Sequence, residues 1–182
     1  MDEQEERRVA EWYNKLSDSY DELYGHEQSF KQEKVLDFIC DKRFGILVDV
    51  GCGSGAFLNA AVSLYSYGIG VDLSINMLKA AKKKQPKKND FVLATSRMLP
   101  LRDGVADCLV SISTLKTDSA LPENLRELRR LLNGESLLAV SLFQERENPI
   151  PFDPSERVRS SRISKRESIY FLTSQGDRKM TA

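Results

Sequence analysis

The sequence predicts an α/β protein built on a doubly wound parallel sheet. Two observations support this fold class. Short apolar runs alternate with helical patterns of apolar residues along residues 46–143, as in successive βαβ units. A glycine-rich stretch, VGCGSGAF, follows the first apolar run directly, which is typical of a tight turn between a strand and a helix.

The elements are expected in the following order. Two helices precede the sheet, one ending at Gly25 and one over about 29–41. Strands are predicted at 46–50, 69–73, 91–94, 107–113 and 136–143, and helices at 56–66, from 75 into the lysine run 82–88, and at 122–132. Asn133-Gly134 should end the last helix. Three prolines (149, 151 and 154) predict a loop, 168–174 a last strand, and 175–182 a frayed end.

Composition and charge narrow the class of protein. The 182 residues include 27 Lys+Arg and 27 Asp+Glu, so the net charge of zero neither favours nor excludes a polyanionic partner. Three widely spaced cysteines, a charged N-terminus and the lack of a long apolar run favour a soluble cytoplasmic protein. We expect one domain over residues 1–182 and no metal site.

The glycine-rich stretch predicts a cofactor-binding loop. Gly51, Gly53 and Gly55 stand at alternate positions, so backbone N–H groups can turn towards a ligand without Cβ atoms in the way. The helix that follows would add its positive N-terminal end. Asp49 lies in the strand just before this loop, where a carboxylate costs desolvation energy unless a cation or donors meet it. We therefore favour a ligand-binding role for Asp49 over capping of the loop amides.

A second acid follows at the end of the next predicted strand. Asp72 stands where the dinucleotide fingerprint places the carboxylate that binds ribose hydroxyls. The pattern Gly51-x-Gly53-x-x-Ala56 fits a dinucleotide, and Gly51-x-Gly53-x-Gly55 fits S-adenosylmethionine. Asp49 would repel a pyrophosphate but would suit an ammonium, and this favours S-adenosylmethionine.

These residues carry a family resemblance. The run from VDVGCGSGAFL through GVDLSINMLKAAKK, FVLATSRMLPL and DCLVSISTL to LRELRRLLNGESLLAV resembles class I S-adenosylmethionine-dependent methyltransferases, most closely the type 11, UbiE-like group. The resemblance covers residues 48–140. It implies a Rossmann-like, mostly parallel sheet of about seven strands, complete or truncated at its C-terminal hairpin.

The resemblance also implies an organisation and a set of cofactor-binding residues. Residues 1–44 would form a helical lid, 45–143 the cofactor-binding core and 144–182 a C-terminal segment. The implied cofactor-binding residues are Asp49, Gly51, Cys52, Gly53 and Gly55 at the methionine end, Asp72 at the ribose, Leu73 and Met77 near the adenine, Ser111 along the cofactor, and Tyr20 closing over it.

The sequence departs from the family pattern at several points. The acid that often holds the adenine amine is replaced by Thr95, so its hydroxyl or the Ser96 backbone would serve instead. A common histidine pair is Lys116-Thr117 here, and no general base is assigned. His26, the only histidine, fits a loop better than a general base.

The function predicted is methyl transfer from S-adenosylmethionine to an unidentified acceptor. A small-molecule acceptor is slightly favoured. One alternative is RNA or protein methylation, with an activating partner subunit, in which the lysine run 82–88 and the arginine-rich segment 157–166 form a basic rim. The other is a protein that binds S-adenosylmethionine without catalysis. No membrane span is expected, and the oligomeric state stays open.

Overall fold

The computed structural model describes residues 3–84, 87–143, 152–154 and 156–174. The helices are α1 Glu3–Leu16, α2 Tyr20–Ile39, α3 Ala56–Ala60, α4 Ile75–Lys84 and α5 Leu121–Leu131. The strands are β1 Phe44–Val50, β2 Tyr65–Asp72, β3 Asn89–Leu93, β4 Ala106–Ser111, β5 Leu132–Phe143, β6 Glu156–Arg162 and β7 Glu167–Ser174.

The strands form one seven-stranded sheet in the order β3-β2-β1-β4-β5-β7-β6. The first five strands run parallel, and β7 inserts antiparallel between β5 and β6. This confirms the predicted fold class. The strand order reverses between β1 and β4, and in open α/β sheets ligands bind outside the carboxyl ends of the strands at such a point.

Each face of the sheet has its own apolar core, because successive strand residues point to opposite faces. In β1, Val48 and Val50 belong to the cluster that includes α5, whereas Leu47 belongs to the cluster with Val35 and Ile39 of α2. The two clusters hold β1 and β4 in the centre of the molecule, where the candidate site begins.

The N-terminal helices differ from the prediction. The first helix, α1, already ends at Leu16, and Gly25 does not end a helix because α2 continues from Tyr20 to Ile39. A glycine inside a helix costs about 1 kcal/mol relative to alanine, which packing of the far end offsets. That end buries Lys31, Val35 and Ile39.

The helix predicted over 56–66 is also wrong in its second half. It ends at Ala60, and β2 already begins at Tyr65, four residues before the predicted start of the strand. Tyr65 is buried, and its hydroxyl bonds to the Leu58 carbonyl (2.8 Å) and to Asn89 Oδ1 (2.9 Å). These distant partners select the extended backbone over the helical pattern.

The segment Asn133-Gly134 does not separate helix from strand as predicted. The α5 helix ends at Leu131 and β5 begins at Leu132, so the dipeptide lies inside the strand. The pairing of β4 with β5 is irregular here, with a register shift between Ala106 and Cys108. The turn residues therefore occupy an irregularity in the sheet.

The C-terminal hairpin is complete. The arginine-rich segment that was given no strand forms the edge strand β6, which pairs along its length with β7. An ion pair between Arg129 of α5 and Glu156 of β6 (2.7 Å) ties this edge to the body of the fold. Pro149 and Pro151 of the predicted loop and the predicted frayed end at 175–182 lie outside the described residues, as do positions 85 and 86 of the lysine run.

Candidate functional site

A cavity of about 910 Å³ lies at the carboxyl ends of β1, β2 and β4 and is covered by α1 and α2. Ten of the twelve predicted site residues line it: Tyr20, Asp49, Gly51, Cys52, Gly53, Asp72, Leu73, Met77, Thr95 and Ser96. The sheet therefore gathers residues that are far apart in sequence around one space. Gly55 and Ser111 are the two predicted residues outside this lining.

The glycine loop has the geometry that requires glycine. Gly51, Gly53 and Gly55 all have positive φ, at 79°, 52° and 78°. A Cβ on Gly51 would lie 1.9 Å from Thr114 Oγ1, whereas a Cβ on Gly53 would meet no atom within 4 Å. Gly53 thus leaves open space at the cavity, and Gly55 stands behind it as the N-cap of α3. Since α3 has five residues, the helix end adds less than the sequence suggested.

Asp72 is held in place by the backbone. Its Oδ2 accepts a hydrogen bond from the Gly53 N–H (2.9 Å) and its Oδ1 accepts one from the Ser74 N–H (2.8 Å). Burial raises the pKa of Asp72, and these backbone hydrogen bonds oppose that rise. Each carboxylate oxygen keeps a further lone pair, so this fixed side chain can accept hydrogen bonds from a ligand.

Asp49 is buried, with 3% of its surface exposed. Burial, and after it the negative charge of Asp72, raises the pKa of Asp49 to about 8. Two carboxylates therefore border the same cavity, one on each side of the glycine loop. A cationic group beside Asp49 would favour the ionised form of this carboxyl.

The residues after β3 contribute hydroxyl groups to the cavity. Thr95 Oγ1 accepts a hydrogen bond from the Arg97 N–H (3.0 Å), and Ser96 Oγ donates to Asn124 Oδ1 (3.0 Å). Both residues are half-buried. Their side chains are thus oriented by neighbours, with Ser96 fixed by the α5 helix.

Ser111 does not reach the cavity, contrary to the prediction. It is completely buried in β4, and its Oγ has no hydrogen-bond partner among the described residues. The next residues, Ile112 and Ser113, line the cavity instead. Alternation along β4 gives the reason: Ser111 follows Leu109 on the face of the α5 cluster, and Ile112 belongs to the opposite cluster.

Aromatic side chains of the two N-terminal helices form part of the roof. Tyr20 packs 5.8 Å from Tyr13 and 5.1 Å from Tyr24, and Trp12 packs 4.8 Å from Tyr13, measured between ring centroids. Trp12, Tyr13 and Tyr20 line the cavity. Burial, followed by the proximity of Tyr13 and Asp72, raises the pKa of Tyr20 well above its usual value. Tyr20 is therefore a neutral, partly apolar surface towards the cavity.

A polar contact that sequence reasoning missed fastens α1 to the start of α4. Asn14 Oδ1 accepts hydrogen bonds from Ser74 Oγ (2.7 Å) and from the Asn76 N–H (3.1 Å). Ser74 Oγ in turn accepts a hydrogen bond from the Met77 N–H (3.2 Å) and so caps the start of α4. No local sequence pattern could have predicted the role of Asn14, because its hydrogen-bond partners lie about sixty residues further along the chain.

Further contacts attach the roof around the cavity. Asp21 of α2 accepts a hydrogen bond from Ser54 Oγ of the glycine loop (2.6 Å) and pairs with Lys84 (3.0 Å). Two ion pairs link α1 to the opposite side, Glu6 with Arg97 (2.8 Å) and Glu5 with Lys116 (2.9 Å). The N-terminal helices thus contact both sides of the cavity.

Two other kinds of site were searched in the part of the chain that the structure describes. It contains no group of three or more His, Cys, Asp or Glu side chains that could hold a metal ion. None of its helices is long and apolar enough to cross a membrane. His26 lies exposed in α2, not in a loop, and is not among the residues that line the cavity.

The sheet order, the glycine loop and the two acids define a Rossmann-like protein that binds a nucleotide-containing cofactor. The family model described as "Methyltransferase domain" matches residues 48–140, about half of the chain. The chain belongs to this methyltransferase domain family. This confirms the prediction that the chain is a UbiE-like methyltransferase that depends on S-adenosylmethionine.

Several curated relatives have stated activities. The chain is 30% identical to the tRNA (carboxymethyluridine(34)-5-O)-methyltransferase ALKBH8 of Mus musculus, over 80% of this chain and 22% of the relative. It is 31% identical to the malonyl-[acyl-carrier protein] O-methyltransferase of Geobacter sulfurreducens, over 75% of this chain and 53% of the relative. The chain thus spans about half or less of the length of these relatives.

Solved structures share the fold. A methyltransferase in complex with the Haloferax volcanii Trm112 activator superposes with a TM-score of 0.75 at 14% identity, covering 89% of this chain and 97% of the other. Magnesium protoporphyrin IX methyltransferase from Synechocystis PCC 6803 gives a TM-score of 0.71 at 16% identity, covering 93% and 96% of the two chains. At these identities the likeness establishes the fold.

Proposed function

We propose that this protein transfers the methyl group of S-adenosylmethionine to an acceptor. One observation carries the proposal: a buried carboxyl (Asp49) and a backbone-held carboxylate (Asp72) flank an open glycine loop at one cavity. These two hydrogen-bond acceptors fit a molecule with an ammonium at one end and vicinal hydroxyls in the middle. The open space at Gly53 allows its close approach.

Different residues would bind different parts of the cofactor. Asp49 would pair with the ammonium, and the loop of Gly51, Cys52 and Gly53, with Gly55 behind it, would face the carboxylate. Asp72 would accept hydrogen bonds from the ribose hydroxyls. At the far side, Leu73 and Met77 supply apolar surface for the adenine, and Thr95 and Ser96 supply polar groups for its edge. Ser111 is too deeply buried to share this task.

When bound, S-adenosylmethionine supplies an activated methyl group on a sulfonium sulfur. An acceptor lone pair would form the new bond to the methyl carbon while the electron pair of the carbon–sulfur bond stayed on sulfur, and any acceptor proton would leave to solvent or to a base. The chain has to align the partners and exclude water, and alignment can supply about 7–11 kcal/mol of the barrier reduction. A general base is needed only if the acceptor holds its proton tightly.

Residues 1–44 would act as the lid of this site. The support is geometric: α1 and α2 roof the cavity, and their contacts reach the glycine loop, α4, Arg97 and Lys116. Tyr20 and its aromatic neighbours would cover the bound cofactor and keep water out. In this organisation residues 45–143 hold the cofactor and residues 144–182 complete one domain.

For the acceptor we favour a small molecule. The support is a relative named 2-phytyl-1,4-naphtoquinone methyltransferase, of Nostoc punctiforme, which is 28% identical over 78% of this chain and 66% of the relative. The second candidate is RNA, which the tRNA-modifying relative supports. Strand β6 adds exposed Arg157, Arg159 and Arg162 at the sheet edge. An activating partner subunit would accompany this second candidate, by analogy with the Trm112 complex. Salt-sensitive substrate binding would favour RNA.

We also infer a cytoplasmic location. All three cysteines are free thiols, and two of them, Cys52 and Cys108, are buried. A protein of the oxidising compartments more often pairs its cysteines.

Two measurements test the proposed function. S-adenosylmethionine, but not NAD, should raise the melting temperature, since a ligand at 100 times its Kd stabilises the folded state by about 2.7 kcal/mol. Labelled methyl transfer into cell extract, fractionated into RNA, protein and small molecules, should then place the label in one class. Stabilisation by NAD alone would refute the proposal. Cofactor binding without transfer to any fraction would support a non-catalytic binding protein.

A further inference from the structure

A buried lysine lies beside the cavity and is not part of the cofactor site. Lys31 of α2 has only 2% of its side chain exposed. Its ammonium contacts three oxygens: Glu27 Oε1 (2.8 Å), Glu167 Oε2 (3.0 Å) and Ser113 Oγ (2.8 Å). An ammonium has three N–H donors, so each has one partner.

This arrangement is costly as a purely structural device. Desolvation can cancel most of the gain from a buried ion pair, and apolar residues of similar size often stabilise as well. Glu167 is itself buried, and its second oxygen, Oε1, has no hydrogen-bond partner among the described residues. The cluster of Lys31, Glu27, Glu167 and Ser113 therefore calls for a role beyond packing.

Ser113 connects this cluster to the cavity. It lines the cavity at the end of β4 and adopts a positive φ of 57°, which serine rarely does. Two contacts hold it there: its N–H donates to Ser141 Oγ (2.7 Å), and its Oγ accepts from Lys31. Strained backbone held by its surroundings is typical of functional sites.

The hydrogen bond from Lys31 determines which hydrogen-bonding positions of the Ser113 hydroxyl remain free. A hydroxyl has one donor and two acceptor positions, and Lys31 occupies an acceptor position. In the described part of the chain no contact uses the remaining proton. This proton is thus available to a ligand in the cavity, and the neighbouring ammonium makes it a stronger donor.

We propose that Ser113 binds the methyl acceptor by donating a hydrogen bond to one of its oxygens, and that Lys31 is the residue that positions this hydroxyl. The acceptor oxygen belongs to a neutral group, a carbonyl or a hydroxyl. One ammonium and two carboxylates meet in the cluster, so an anionic group would be repelled. The inference rests on the proposed methyl transfer.

The test measures initial rates of labelled methyl transfer into the extract fraction that accepts label from the wild-type protein. Ser113→Ala should lower the rate at limiting extract by about tenfold or more. The Kd for S-adenosylmethionine, measured by calorimetry, should stay within about twofold because Ser113 serves the acceptor. Ser113→Gly is a second variant, since glycine adopts positive φ without strain.

Lys31 is tested through its coupling to Ser113. Lys31→Met should lower the rate like Ser113→Ala, and the double variant should be no slower than either single one, because both remove the same interaction. Lys31→Arg should restore part of the rate. Lys34→Met, on the same helix beside Phe30, is the matched control and should transfer at the wild-type rate.

The outcomes separate the two proposals. Wild-type rates in both Ser113→Ala and Ser113→Gly would overturn the inference, even if Lys31→Met unfolds, and would leave methyl transfer established. Independent, additive losses from Lys31 and Ser113 would also overturn it. A wild-type protein that binds S-adenosylmethionine but labels no fraction would refute the proposed function, and the inference with it.

Discussion

At the scale of single residues, Asp49 and Asp72 make the cavity an unfavourable place for negative charge. Asp49 is the more affected, because it is buried and Asp72 adds its charge. The backbone donors of Gly53 and Ser74 relieve Asp72. A ligand ammonium would remove the imbalance. The sequence located both carboxylates, but their burial and their coupling arise from the tertiary structure.

The first prediction concerns the pH dependence of cofactor binding. With the pKa of free Asp49 at about 8, binding of an ammonium at lower pH must first release a proton from this carboxyl. The Kd for S-adenosylmethionine should therefore fall as pH rises towards 8, by at most about tenfold per unit. Calorimetry in two buffers of different ionisation enthalpy would detect the released proton. A Kd independent of pH below 8 would contradict this.

The second prediction is an opposition between stability and binding at Asp49. The folded-state pKa lies above the unfolded value, so the stability from this group is full below pH about 4 and is lost as pH rises to about 8. Asp49→Asn removes that loss. In the absence of ligand, the variant should melt several degrees higher than wild type at pH 8. At pH about 4 the variant and the wild type should have the same melting temperature.

The same variant should bind S-adenosylmethionine at least about tenfold more weakly, since the ammonium loses its counter-charge. Asp37→Asn, at an exposed carboxylate of α2, is the control and should change neither property. A variant less stable than wild type at pH 8 would show that Asp49 is satisfied in the free protein.

At the scale of elements, the parts of the chain with local patterns were predictable and the roof was only partly so. The strands of the parallel core have apolar runs, and the glycine loop has its own signature. By contrast, α2 passes through Gly25 because its far end is buried, and α3 is short because Tyr65 joins the sheet. The contacts of Asn14, Asp21 and Lys31 depend on distant partners, so no local pattern announces them.

The third prediction tests the roof as a lid. Asn14→Ala removes the acceptor of the Ser74 hydroxyl and the Asn76 N–H and so loosens α1 from α4. The variant should release S-adenosylmethionine about two- to tenfold faster, in line with the loss of one or two hydrogen bonds. Stopped-flow fluorescence can follow this, because Trp12 is the only tryptophan and lines the cavity. Glu11→Ala, exposed on α1, should release the ligand at the wild-type rate.

At the scale of the whole molecule, the sequence predicted the fold class and ten residues that line the cavity, but not the last edge of the sheet. Strand β6 was not predicted because it is an edge strand that faces solvent, and arginine and serine there replace the apolar pattern of a buried strand. Ser113 was not predicted as a site residue because its role depends on the backbone geometry after β4 and on the contact with Lys31. Long-range contacts decide which hydroxyl turns towards the cavity, and they leave no local pattern in the sequence.

The last prediction tests whether lid, core and hairpin form one cooperative domain. Phe171 of β7 is buried and stacks on Phe38 of α2, with ring centroids 3.9 Å apart. Phe171→Ala should lower the free energy of unfolding by about 3–5 kcal/mol, and Val158→Ala, at a partly exposed site on β6, by less than about 1 kcal/mol. Because α2 also bonds to the glycine loop, urea unfolding followed by Trp12 fluorescence and by circular dichroism should coincide in both variants. An earlier Trp12 transition would mean that the lid unfolds separately from the sheet.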